Sequence, residues 1–173
     1  GDASFSGDAE FLGDFTAGLT GADASITFSD SLSFIDAAEL RVTGDGTLNI
    51  SGTSTFAGAF NLLVNDAATV EWSGGFNLVD TFAIDTTVGT GDATVNFSGE
   101  IGNAGGVDDV AIEITTGGND DVAFVGNALR DLDGTIQVNE DSAVTFQGNG
   151  SAGNAGVSLV LRNGATANLE SVV

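Results

Sequence analysis

One motif recurs through this chain and limits what it can fold into. Residues Asp92–Gly99 read Asp-Ala-Thr-Val-Asn-Phe-Ser-Gly: a turn former, then apolar and polar residues in alternation, then a glycine stop. Alternation with period two marks a strand with one buried face. Variants of the block run Asp23–Asp30, Asp45–Gly52, Asp66–Gly74, Asp121–Gly126 and Asp141–Gly148, with a shortened copy at Asp2–Gly7. Their first buried positions are Ile26, Leu48, Val70, Val95, Val122 and Val144, at intervals of 22, 22, 25, 27 and 22 residues. The second set is Phe5, Phe28, Ile50, Trp72, Phe97, Phe124 and Phe146. A unit of about 22 residues, mostly strand, is the size of one rung of a parallel β-solenoid, and a propeller blade needs roughly twice as many. An antiparallel β-sandwich of short strands is the alternative fold. The regular repeat argues against it, since a sandwich has no need to repeat.

The segments between blocks continue the alternation. Residues 23–44 place Ile26 and Phe28, then Leu32 and Phe34, then Leu40 and Val42 on three successive strands. Residues 45–65 repeat this with Leu48 and Ile50, Phe56, and Phe60, Leu62 and Val64. The rung at 119–140 offers Val122 and Phe124, Leu129 and Leu132, then Ile136 and Val138. Residues 1–22 read as an opening rung or N-terminal cap. Phe11, Phe15 and Leu19 fall at four-residue steps that suit a short helix, but Gly13 and Gly18 weigh against one, leaving strand and loop. Residues 165–173 begin another strand at Ala167 and Leu169 and form an incomplete last rung. No linker or shift of composition divides the chain. Residues 1–173 are therefore expected to form a single all-β domain of about seven rungs, roughly 34 Å long at the usual strand spacing. Such a rod leaves strand edges open at both ends. That pattern suits subunits stacked end to end, or a piece of a longer solenoid.

Composition fits the same picture. The 26 glycines suit repeated corners, and the absence of proline suits strands whose N–H groups pair on both sides. The charge is extreme, with 25 acidic residues against three arginines and a net charge of −22. This surface repels nucleic acid and anionic membranes. It also strains the compact state unless ions screen it, which points to salty or calcium-containing surroundings. No run is long and apolar enough to cross a bilayer as a helix, so no direct membrane insertion is expected. If the chain is exported, its targeting segment has been removed.

The acidic corner of the repeat is the candidate site. Asp2, Asp23, Asp45, Asp66, Asp92, Asp120 or Asp121, and Asp141 stand at similar places in successive blocks. Stacked in register they would lie about one rung apart. Like charges placed so are destabilising and need cations, salt or turn hydrogen bonds to offset them. Calcium takes six to eight oxygens from carboxylates, carbonyls and water. The candidate calcium ligands are Asp45, Asp66, Asp92, Asp108, Asp109, Asp120, Asp121 and Asp141. The chain lacks both the calcium-binding nonapeptide of β-rolls and the EF-hand spacing. For any one of these positions the plainer role is that of a turn former.

Catalysis finds little support. There is no histidine, cysteine or lysine to act as a base, thiol nucleophile, zinc ligand or amine. Carboxylates are so frequent that a glycosidase-like pair has no diagnostic value. The outward row of the first strand reads Thr27, Asn49, Glu71, Asn96, Ala123, Thr145, too mixed for an ice-binding rank of threonines. Loops at 86–91, 102–109 and 149–156 would be the contact points if the chain were a calcium-dependent, glycan-binding adhesive module.

The phrases Gly44–Gly52, Asn65–Gly74 and Gly91–Gly99 resemble the strand repeats of autotransporter passengers and related large bacterial surface adhesins. The likeness extends over residues 23–164. It implies a right-handed parallel β-helix, export, and an extracellular or cell-surface role of prokaryotic type. The family motif carries no catalytic residues. This chain lacks the family's membrane β-barrel part and contains no lysine. Together these readings lead to the expectation of a non-enzymatic, secreted structural protein that forms or supports a fibre, layer or adhesin stalk. Its partner would be itself, as an end-to-end homopolymer, or a longer surface assembly, with calcium as the one candidate cofactor.

Overall fold

The alternating pattern does produce a rod of stacked rungs. The structure, a computed structural model, describes residues 1–105, 107, 110–126, 128, 129, 132–147 and 157–170. The first rung is β1 (Asp2–Phe5), β2 (Ala9–Phe11) and β3 (Phe15–Leu19). The second is β4 (Ser25–Phe28), β5 (Leu32–Phe34) and β6 (Ala38–Gly44), and the third is β7 (Thr47–Ile50), β8 (Ser54–Phe56) and β9 (Phe60–Val64). The fourth holds β10 (Thr69–Trp72), β11 (Phe76–Leu78) and β12 (Phe82–Asp85). The fifth holds β13 (Thr94–Phe97), β14 (Ile101–Asn103) and β15 (Val110–Thr115). Then come β16 (Asp121–Val125) and β17 (Gly134–Val138), followed by β18 (Ala143–Gln147) and β19 (Val157–Leu161), and finally β20 (Thr166–Glu170).

Each rung contributes one strand to each of up to three sheets. The first face runs β1-β4-β7-β10-β13-β16-β18-β20, the second β2-β5-β8-β11-β14, and the third β3-β6-β9-β12-β15-β17-β19. Every pairing between these strands is parallel, which rules out the antiparallel sandwich. The helical alternative for the opening segment is also wrong, because Phe11 ends β2 and Phe15 and Leu19 bound β3. In the sixth rung, Leu129 and Leu132 themselves are described outside any strand, and Leu132 is buried.

The strands form because one side of each faces a common core. Phe28, Ile50, Trp72, Phe97 and Phe124 occupy one register column of the first face and are all buried. Leu40, Leu62, Ile84, Ile114 and Val138 do the same on the third face. Aromatic rings stack up the axis, for example Phe97 on Phe124 at 5.3 Å and Phe124 on Phe146 at 5.6 Å. Burying one such side chain fully is worth about 1.5–3 kcal/mol. A rung therefore stabilises its neighbours through the core as well as through the backbone ladder.

Candidate functional site

The expected acidic row lies where the third face turns into the first, and the register there can be counted back from the strands. Thr47 pairs with Thr69, Thr69 with Thr94, and Thr94 with Asp121. Two positions earlier, that register lines up Asp23, Asp45, Ala67, Asp92, Asn119, Asp141 and Gly164. Asp66 therefore stands one position off the row, beside Gly44. Asn119, not Asp120 or Asp121, is the true counterpart of Asp92, and its Nδ2 donates to Asp92 Oδ1 at 3.5 Å. Asp2 pairs with Ser25 and belongs to the strand itself. The expected unbroken stack of carboxylates is thus a mixed column. Only Asp23 and Asp45 are adjacent like charges within it.

Several of these carboxylates act as backbone acceptors between rungs. Asp45 Oδ1 accepts the Gly21 N–H of the rung below at 2.6 Å. Asp14 accepts the Glu39 N–H at 2.8 Å. Asp2 accepts the Ser25 hydroxyl, and Asp121 the Thr145 hydroxyl. Asp66 and Asp141 sit in the left-handed region, at φ 59° and 58°, which Asp tolerates better than most residues. Asp45, Asp66, Asp92 and Asp141 are exposed to solvent. Asp108 and Asp109 lie outside the described residues.

Asp120 is the most deeply engaged. Its neighbours in register form a column of small residues inside the corner: Ala24, Gly46, Ala68 and Ala93 below it, and Ser142 above. This column leaves no room for a large side chain. A Cβ on Gly46 would already meet the Ala24 carbonyl oxygen. Asp120 is buried at 8% exposure and turns its carboxylate onto the loop of the preceding rung. Oδ1 accepts the Ala93 N–H at 2.7 Å, and Oδ2 accepts the Thr86 hydroxyl and the Gly117 N–H at 2.6 and 3.0 Å. Ser142 continues the device, its hydroxyl accepting the Thr116 N–H at 3.0 Å. The expected acidic row has Asp120 or Asp121 at this place. Counting back two residues from Val122, instead of forward from the first Asp, would have placed it in the alanine column.

Among the described residues, no three acidic side chains come close enough together to hold a metal ion. In the loop at 86–91, Thr86 is buried and residues 87–91 are exposed, while Gly89 and Gly91 press so close to the backbone of Asp66 and Ala67 that a Cβ would collide there. Of the loop at 102–109, residues 106, 108 and 109 lie outside the described residues, as does all of 149–156. The outward row Thr27, Asn49, Glu71, Asn96, Ala123 and Thr145 is a true register column, with Asn96 donating to Glu71 at 2.9 Å. The arrangement offers structural acceptors and an acidic outer surface. No family model, curated protein or solved structure matches the chain.

Proposed function

We propose that this chain is a non-enzymatic, secreted structural protein that forms or supports a cell-surface or extracellular fibre, layer or adhesin stalk. The observation that carries this reading is the unbroken, in-register core column from Phe28 through Ile50, Trp72 and Phe97 to Phe124. A solenoid held together this way gains length by adding rungs, with each rung needing only its neighbours. The use of Asp14, Asp45 and Asp120 as inter-rung acceptors favours the same role, because these acids tie rungs together. With a net charge of −22, the rod needs cations around it, and calcium would neutralise its exposed acids. The likeness of its strand repeats to those of autotransporter passengers and surface adhesins fits export to the cell surface.

Negative-stain electron microscopy of the purified chain, with calcium and then with a chelator, tests the proposal. Filaments that shorten on chelation are the expected result. Filaments indifferent to the chelator would keep the fibre and remove calcium from it. Single short rods in every condition would overturn the self-assembling fibre.

A further inference from the structure

An apolar column runs up the outside of the rod at the corner between the second and third faces. One position past the register partners Phe11, Phe34 and Phe56 stand Leu12, Ile35 and Ala57. The Ile35 N–H donates to the Phe11 carbonyl and the Ala57 N–H to that of Phe34, so the ladder carries on to these positions. The register of the next two rungs brings Val79 and Ala104 into line with them. Successive rungs thus place an apolar residue at one corner. Leu12 is 71% exposed and Ile35 41%, Ala57 is exposed, and Val79 and Ala104 are half-buried. Ile35 and Ala57 have a paired rung on either side, so their exposure belongs to the wall of the rod. Outward columns on the other two faces are polar or mixed, such as Thr27, Asn49, Glu71 and Asn96, or Glu39, Asn61, Ala83 and Glu113.

A continuous apolar strip on a surface this polar marks a place where something docks. Charge selects the occupant. Glu10, Asp14, Asp36 and Asp80 are exposed beside the strip, on a chain of net charge −22. A second copy would bring the same acids against them, and anionic lipid is repelled as well. A partner with basic residues flanking an apolar stripe meets both features. Spacing selects its form. The rungs repeat at about 4.8 Å. An α-helix laid along the rod brings a side chain round to one side about every 5.4 Å, whereas an extended strand presents one about every 6.6 Å. The helix is the closer match.

We propose that this corner docks a basic amphipathic helix of another protein, lying along the rod axis with its apolar stripe on Leu12, Ile35, Ala57 and Val79. The small Ala57 between the larger Ile35 and Val79 leaves a hollow for a leucine of the helix. Lysine or arginine side chains of the helix reach Asp36 and Asp80 on one flank and Glu10 on the other. An amphipathic helix held by apolar anchors at helical spacing is a general mode of recognition. The site is independent of end-to-end assembly and stands whether or not the chain forms a fibre.

Titration of the full chain with two fluorescent peptides, followed by anisotropy at about 0.15 M salt, tests this. Both peptides hold leucine and lysine in the same proportion. One spaces its leucines for a helix, and the other alternates leucine with lysine as a strand does. The helix-patterned peptide should bind about tenfold tighter, and the Ile35→Ser/Val79→Ser variant should lose about that factor while its hold on the strand-patterned peptide stays the same. Both substitutions lie outside the core, and circular dichroism checks the fold. The chain has no cysteine of its own, so Ala57→Cys can carry an environment-sensitive dye as an independent readout. Its emission should shift to the blue on addition of the helix-patterned peptide and not of the other. Equal affinities for the two peptides, or a variant that binds like the wild type, would show attraction by charge alone and overturn the site. Dimers of the wild type that the variant fails to form would put a second copy on this corner. Uptake by zwitterionic vesicles that the variant loses would put lipid there. Either result overturns the helix.

Discussion

Trp72 stands where the other rungs carry Phe, Ile or Leu, and it is the largest side chain buried in the core. Its indole Nε1 is buried without a hydrogen-bond partner. Trp72→Ala should cost about 3–5 kcal/mol in urea unfolding, the usual range for emptying a large aromatic site. Trp72→Phe should lose far less, or even gain, because it removes a buried donor whose lack of a partner costs about 1–3 kcal/mol. A Phe variant as damaged as the Ala variant would show that the column depends on indole shape. Asp120 offers a second contrast. Asp120→Ala leaves the Ala93 N–H without its acceptor, at about 1–3 kcal/mol by the same reasoning, while the Gly117 N–H keeps the Thr86 hydroxyl at 3.3 Å. Exposed Asp23→Ala should change stability by no more than about 0.5 kcal/mol. Equal effects in chemical denaturation would contradict the separate roles given to these two acids.

At the scale of the element, the strands were legible and the corners were not. Alternation placed Ile50, Leu62, Ile84 and Ile112 on inward columns, because a period of two assigns each side chain to a face without any knowledge of the neighbours. The corners hold loops of unequal length, so the first Asp of each block does not mark one register. That is why Asp66 and Asp120 were grouped with residues they do not match. Gly52, Gly74 and Gly99 close their blocks without a positive φ. Their need is closeness: a Cβ on Gly52 would meet the Asp30 carbonyl oxygen, and one on Gly74 would meet that of Gly52. Gly52→Ala must push two rungs apart and should cost about 1–3 kcal/mol, the usual cost of overpacking. An unchanged midpoint in urea would mean the corner yields easily.

For the whole molecule, charge and length set the behaviour. A net charge of −22 on 173 residues repels itself at every scale beyond the local acceptor bonds. The screening length shrinks from about 30 Å at 0.01 M salt to about 3 Å at 1 M. The melting temperature should therefore climb steadily across that range, and a flat or falling curve would mean that bound ions already neutralise the rod. The measurement that bears most directly on the account is disulfide trapping between rungs, since the chain has no cysteine of its own. Glu71 and Asn96 are register partners on the first face, so the Glu71→Cys/Asn96→Cys variant should close a disulfide within one chain in high yield, whereas Thr27→Cys/Glu71→Cys, two rungs apart, should not. Equal yields from the two pairs would contradict the parallel, in-register solenoid.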